Sequence, residues 1–389
     1  MRLPIPYGKQ HITQEDIDAV TYTLGSNYLT QGPRIEEFED NFACYVGAKY
    51  AVAVANGTAA LHLSALALQT GKGDRVITTP ITFTASANCI MYAGGEVHFA
   101  DIDPNTYKIS IDCLKQLLER HPKGYYSGII PVDFTGYPVD LEQLKELADH
   151  FGLWILEDAC HAPGGYFYNS HGKKQYCGDG RDADLAIFSF HPVKHIAAGE
   201  GGMITTNNKQ LYEKLLVLRT HGITKNNLQL DFPNPQLQGD WYYEMQELGY
   251  NYRITDIQAA LGNSQLKRAD QGLKRRREIA ENYRQAFRDT SIKMQSMAPG
   301  FEHAYHLFVI EVTERKALYD YLRSQQIFAQ VHYIPVHLMP YYKNFGWKEG
   351  DFPKAEHYYQ HCLSLPMYPS LTDQEQEYVI EKVLNFANG

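Results

Sequence analysis

From residue 50 to residue 219 the chain alternates two patterns. Short runs of β-branched and apolar residues are followed by longer stretches in which apolar positions return every three to four residues. The first pattern predicts strands at 50–55, 75–79, 96–100, 128–132, 153–156, 185–189 and 203–206. The second predicts helices at 58–68, 83–93, 111–118, 141–151 and 209–219, with Ser110 as an N-cap. Strands that alternate with helices imply an α/β fold. Its sheet is expected to be mostly parallel and covered by helices on both faces.

The rhythm then changes. Residues 226–239 are rich in Asn, Gln and Pro and read as a long loop. Residues 255–287 read as a long helix broken near Gly272. A strand at 307–312, a helix at 314–326, a strand at 329–333 and two more helices follow. This α+β tail is expected to form a smaller second domain, dividing the chain into 1–250 and 251–389.

Composition narrows the classes. Among 389 residues, 44% are hydrophobic and 21% charged, as in an ordinary globular protein. The net charge of -9 argues against a nucleic-acid partner. No apolar run approaches the ~20 residues that span a bilayer. The opening Met1-Arg2-Leu3-Pro4-Ile5-Pro6 has no signal-peptide core. A cytoplasmic protein without a membrane partner is expected. The six cysteines form no C-x-x-C pair, so reduced, buried thiols are expected rather than disulfides or zinc. His332, Tyr333 and His337 fit no metal spacing, and no metal is expected.

Several segments carry chemistry. Ala55-Asn56-Gly57-Thr58 joins a strand to a helix, where free N–H groups and the Thr58 hydroxyl suit a phosphate; taken alone, a tight turn with a Thr cap explains it better. Neither a Walker pattern nor G-x-G-x-x-G is present here. Asp158 follows an apolar strand and could hold a proton on a heteroaromatic nitrogen, with His161 three residues on; a helix cap and a buried histidine are the alternatives. Lys194 follows another strand and precedes glycines 199, 201 and 202. Apolar neighbours would lower its pKa and free the amine to attack a carbonyl. Ser189 is placed for a second phosphate contact. Phe83 could stack on a flat ring or simply pack in a core. Asn251 and Arg253 flank the start of a long helix, and a phosphate contact from there would require reaching a site, such as one in a partner subunit. The run Lys267-Arg268 and Lys274-Arg275-Arg276-Arg277 reads as a solvated helix face.

The order of these groups, one for each part of pyridoxal phosphate, is more informative than any one of them. Over almost its whole length the chain resembles the DegT-like nucleotide-sugar aminotransferases, enzymes of fold-type I. The resemblance runs through Leu29-Thr30-Gln31-Gly32-Pro33, Glu157 to His161, Ser189 to Gly202 and Gly249 to Leu261. Within the group it resembles the members of the pseudaminic-acid pathway, on Ser189-Phe190-His191-Pro192-Val193-Lys194 and Val331-His332-Tyr333-Ile334-Pro335-Val336-His337. Those members aminate C4 of UDP-2-acetamido-2,6-dideoxy-β-L-arabino-hexos-4-ulose.

The resemblance implies the following roles. Lys194 holds pyridoxal 5'-phosphate covalently, Asp158 pairs with its ring nitrogen, His161 lies by its hydroxyl and Phe83 stacks on it. Gly57, Thr58 and Ser189 hold the phosphate, with Asn251 from the other subunit of a homodimer. Tyr7, Asn27, Tyr28, Leu29, Thr30, His332, Tyr333, Ile334 and Pro335 contact the nucleotide sugar, and L-glutamate is the donor. Ala197 and Ala198 depart from the family, where hydroxyl residues are expected; alanine keeps the small volume. Rival readings are an aminotransferase for a dTDP-hexose or UDP-pentose, a cofactor-dependent sugar dehydratase, and a non-enzymatic sensor of the same fold. Lys194 and Asp158 argue against the last two.

Overall fold

The computed structural model describes residues 4–225 and 241–387. Seven strands form its central sheet: β1 (Tyr50–Val54), β2 (Arg75–Thr78), β3 (Glu96–Phe99), β4 (Gly128–Ile130), β5 (Trp154–Asp158), β6 (Leu185–Ser189) and β7 (Gly202–Thr206). Their spatial order is β1-β7-β6-β5-β4-β2-β3. The neighbours from β3 to β6 pair in parallel. β7 runs antiparallel to β6 and β1. The reason is local: a loop without a helix joins β6 to β7, whereas parallel strands need a long crossover. That loop carries Lys194.

Helices cover both faces. The period-two alternation of each strand sorts its side chains. Val52, Val54, Leu156 and Ile187 pack with α3 (Gly57–Ala67), α4 (Ala85–Tyr92) and α7 (Lys209–Arg219). Ala51, Ala53, Phe188 and Met203 pack with α2 (Pro33–Val46) and α8 (Asp256–Leu266). Ile77, Ile129 and Ile155 pack with α5 (Ile111–Glu119) and α6 (Leu141–Phe151). Asp158 therefore shares a face with Leu156 and α4. Glu157 points to the opposite face.

The C-terminal part has an antiparallel sheet of β8 (Lys293–Met294), β9 (Phe308–Glu311) and β10 (Cys362–Leu365). Ile5–Pro6 pairs in parallel with Ile327–Phe328, and Ile5 joins the core of this part. The N-terminus is thus tied to the C-terminal part, and Tyr7 is carried to the cavity between them. No helix among the described residues is long and apolar enough to cross a membrane.

Four expectations are corrected. The helical stretch from 255 breaks at Lys267 and Arg268, giving α8 and α9 (Ala269–Phe287), and Gly272 lies inside α9. Arg268 there pairs with buried Asp16, 2.5 Å away, which fixes the bend. The strand expected at 329–333 is absent: Ile327–Phe328 is the strand, Gln330 bridges to Ser364, and the chain then leaves the sheet. The basic run is not all solvated. Arg276 is 1% exposed, its Nη1 spent on the carbonyls of Tyr305, His306 and Met367. The thiols are not all buried, since Cys44 is exposed and Cys113 and Cys160 are half-buried. The loop expected at 226–239 lies outside the described residues.

Candidate active site

A cavity of about 470 Å³ opens at the C-terminal ends of β5 and β6. Its wall brings together Tyr7, Gly57, Thr58, Phe83, Asp158, His161, Ser189, Lys194, His332 and Tyr333. A larger groove of about 1020 Å³ also reaches Lys194, from the side of α9 and of α1 (Gln14–Leu24). It holds none of Thr58, Asp158, His161 or Ser189, so the chemistry belongs to the smaller cavity.

One end of the cavity is built for an anion. Asn56 caps α3, its Oδ1 accepting from the Ala59 amide at 2.8 Å, and the helix N-terminus faces the cavity beside Thr58 and Ser189. Space is tight at Gly57: a Cβ there would lie 3.0 Å from the Ser189 Cβ, so Ser189 would have to give way. Gly202 is required, because its Cβ would meet the Asn56 carbonyl oxygen at 2.5 Å. Gly202 thus lets β7 pass close beneath the turn.

Asp158 ends β5 and is 5% exposed. The Ser86 hydroxyl of α4 donates to its Oδ2 at 2.7 Å, and the Cys160 amide donates to its Oδ1 at 3.2 Å. The Thr82 hydroxyl lies 2.9 Å from that of Ser86. The two donors fix the direction of the carboxylate, which suits a partner for a protonated ring nitrogen. The alternative of a simple helix cap does not hold, since no helix begins after Asp158.

Lys194 is half-buried, and its amide donates to the His191 carbonyl at 2.8 Å. Burial pushes its amine below the usual lysine range, against the pull of Cys160 and Asp158. An amine so placed is readier to attack a carbonyl carbon. His161 is buried and its pKa lies well below the ordinary value, through burial first and the charge of Lys194 second. Its Nε2 is 3.4 Å from the Tyr333 hydroxyl, and its Nδ1 has no partner among the described residues. Phe83 is 60% exposed and its ring lies 6.1 Å from that of Tyr333. It is a cavity wall and not a core residue. Helix α4 begins at Ala85, so Phe83 sits on the approach rather than within the helix.

Other expected residues lie elsewhere in the single chain. Residues 27–30 join α1 to α2, with Tyr28 and Leu29 exposed and Thr30 bridged to Thr255. Asn251 is exposed and bridges to Thr220. Ile334 is exposed and Pro335 buried, and neither lines the cavity. His337 is separate, buried with Nε2 2.9 Å from Glu356. Sequence reasoning missed Ser86 and His306, both of which line the cavity, and named Asn56 only as part of its turn. For Ser86 a signal existed: it follows Thr82 and Phe83 by about one helical turn at a strand-to-helix junction. His306, whose ring lies 4.3 Å from that of His161, left none.

Comparison with known proteins bears on this geometry. Residues 10–384 match the model of the DegT/DnrJ/EryC1/StrS aminotransferases. The chain belongs to this family. It is a pyridoxal-phosphate-dependent sugar aminotransferase. It is 42% identical to the spore coat polysaccharide biosynthesis protein SpsC of Bacillus subtilis, covering 99% of this chain and 97% of that protein. It is 36% identical to a UDP-4-amino-4,6-dideoxy-N-acetyl-β-L-altrosamine transaminase of Campylobacter jejuni, covering 96% and 95%. The sugar aminotransferase Spr1654 of Streptococcus pneumoniae, described as putative and solved in its PLP form, superposes with a TM-score of 0.88 at 29% identity over 99% of both chains.

The cavity fits this cofactor on its own evidence. A Cβ at Gly57 would crowd Ser189 on the cavity wall, Asp158 is held as an acceptor, and the Lys194 amine is desolvated at the same wall.

Proposed function

We propose that the enzyme moves the amino group of L-glutamate to C4 of UDP-2-acetamido-2,6-dideoxy-β-L-arabino-hexos-4-ulose, in pseudaminic acid biosynthesis. It works in the cytoplasm as a homodimer with shared sites. The observation that carries the reading is the presence of Lys194, Asp158 and the Asn56–Thr58 turn on one cavity, with Tyr7, His332 and Tyr333 on the same wall. The likeness of 189–194 and 331–337 to the pseudaminic-acid members supports the sugar, as does the altrosamine transaminase relative.

Pyridoxal phosphate, when bound, supplies the carbon that carries the amino group and a ring that draws electrons from it. The protein does the rest. The α3 N-terminus, Thr58 and Ser189 hold the phosphate. Asp158 keeps a proton at the ring nitrogen, and Ser86 keeps Asp158 aimed. Phe83 covers the ring face. The Lys194 amine takes the proton from the donor α-carbon and later returns one at sugar C4. Tyr7, His332 and Tyr333 orient the keto-sugar.

The test uses ¹⁵N-glutamate with a panel of nucleotide keto-sugars, read by mass spectrometry. The expected product carries ¹⁵N on the UDP-linked 4-keto-N-acetylhexosamine, and Lys194→Ala abolishes it. Loss of a hydroxyl without ¹⁵N uptake would instead mean a dehydratase. A second reading is another nucleotide 4-keto-sugar, such as a dTDP-hexose or UDP-pentose; the relative of higher identity is named for spore coat polysaccharide biosynthesis and for no particular sugar. The panel separates the two.

A further inference from the structure

The larger groove is cationic on an acidic chain. Eight lysines and arginines line it against three glutamates, whereas the whole chain carries a net charge of -9. Pairing removes part of the excess. Arg34 binds Glu37, Arg275 binds Glu278 and Asp373, and Arg268 binds Asp16. Lys9, Lys267 and Lys274 remain. They are exposed, line the groove and make no ion pair or side-chain hydrogen bond to another described residue.

The floor is built from buried donors. Arg276 of α9 lines the groove at 1% exposure. Its Nη1 serves three carbonyls, but its Nε and Nη2 donate to no described residue, and no carboxylate pairs with it. Burial lowers its pKa to about 9, and no acid offsets that shift. A cation enclosed without a counter-ion is costly, so an anion from outside the chain would stabilise it. Asn263 of α8 is 5% exposed on the same wall. Its Oδ1 accepts from Asn41 at 2.8 Å, and its Nδ2 donates to no described residue. Donors without acceptors and cations without acids point to one kind of ligand, a molecule that brings anionic oxygens.

The position of the groove selects the anion. It meets the catalytic cavity at Lys194, which lines both. The amine there is lowered by burial first, and the Arg276 charge adds to the effect. The catalytic cavity, about 470 Å³, has no arginine on its wall and no lysine besides Lys194. That is the small end of ligand pockets, and cofactor and sugar ring must share it. In a nucleotide sugar the diphosphate leaves the ring at C1, across from the C4 that reacts. With C4 at Lys194, the diphosphate lies one ring away and the nucleoside beyond it. The groove, about 1020 Å³, has the room and the charge for both.

We propose that this groove is the diphosphate site of the nucleotide-sugar substrate, with Arg276 and Asn263 on its floor and Lys9, Lys267 and Lys274 around its mouth. The inference rests on the nucleotide-sugar reading above and extends it to the charged half of the substrate. It concerns the phosphates and not the base, so UDP- and dTDP-linked sugars fit it equally.

Calorimetric titration of the holoenzyme with UDP and with inorganic pyrophosphate tests it without turnover. Both should bind, compete with each other and weaken as salt rises. A Lys9→Gln, Lys267→Gln, Lys274→Gln triple variant should bind either one about tenfold or more weakly. Its melting temperature and its affinity for pyridoxal phosphate should match the wild type, because the three side chains are exposed and lie outside the catalytic cavity. Glutamine at Lys115, Lys209 and Lys316, three exposed lysines outside both cavities, controls for net charge and should change nothing. Arg276→Gln should weaken UDP binding and Arg276→Lys should restore part of it. Where Arg276→Gln does not fold, the triple variant decides.

UDP binding that is unchanged in the triple variant, or lowered as much in the control, overturns the proposal. UDP that pyrophosphate cannot displace overturns it too. Kinetics separate the groove from the sugar. The triple variant is expected to raise the KM for the nucleotide sugar at nearly constant kcat. A wild type that aminates no keto-sugar, while the triple variant loses UDP binding, removes the sugar reading and leaves the groove. An unchanged KM with the ¹⁵N product still formed removes the groove and leaves the sugar reading.

Discussion

The Ser86 hydroxyl sits 2.7 Å from Asp158 Oδ2, and both residues are buried, on α4 and β5 respectively. A strand end and a helix start from distant parts of the sequence thereby fix the direction of one carboxylate. With Thr82 lying 2.9 Å from Ser86, the hydroxyls can order as Thr82 to Ser86 to Asp158, leaving the carboxylate an acceptor only.

Replacing Ser86 by Ala removes one charge-assisted donor from Asp158. The expected loss is about 1.5–3 kcal/mol at that carboxylate, seen as a fall in kcat/KM of about tenfold or more. The absorption of bound cofactor against pH should shift with it. Ser86→Thr keeps the hydroxyl and should keep both. Wild-type spectra in Ser86→Ala would show that the contact is structural only.

Phe83→Ala separates a ring stacker from a core residue. Deleting a buried Phe costs about 3–5 kcal/mol of stability. At 60% exposure this Phe should cost little, so the apoprotein should melt near the wild-type temperature. Cofactor affinity, measured by titration of the apoprotein, should fall several-fold. A large drop in melting temperature with unchanged affinity would refute the assignment.

On the other face of β5, Glu157 lies beside Asp133 and Cys177. The amides of Gly178 and Val139 hold one oxygen of each acid, and the remaining oxygens have no other partner among the described residues. Burial raises the Asp133 carboxyl to about 6 and the Glu157 carboxyl further, so the two share a proton. The folded state binds that proton more tightly than the unfolded chain. The associated stability is complete below the ordinary carboxyl pKa of about 4 and is lost as pH rises through the folded values, from about 6 upward. Glu157→Gln replaces the shared proton by an amide N–H. Its melting temperature should decline less than that of the wild type between pH 5 and pH 9, and parallel curves would exclude proton sharing.

Gly57→Ala tests the phosphate turn by volume. Its new methyl group would lie 3.0 Å from the Ser189 Cβ, tighter than ordinary contact. Binding of pyridoxal phosphate to the apoprotein should weaken markedly, while the helix, which tolerates Ala well, should persist in the melting curve. Unaltered affinity would place the phosphate elsewhere.

The sequence alone determined the strand–helix alternation, the parallel sheet and the strand ends that bear Asp158 and Ser189, because periodicity and burial are properties of neighbouring residues. It also carried the motifs around Lys194, since glycines and a lysine on a short loop leave a local mark. Tertiary structure decided what no local pattern encodes. Ser86 met Asp158 across 72 positions. Arg276 was buried by three carbonyls from other elements, and its charge made it look like a surface residue in the sequence. His332 and Tyr333 left the expected strand to line the cavity. Contacts between distant segments depend on how the layers pack, and a single chain read in order does not contain that distance.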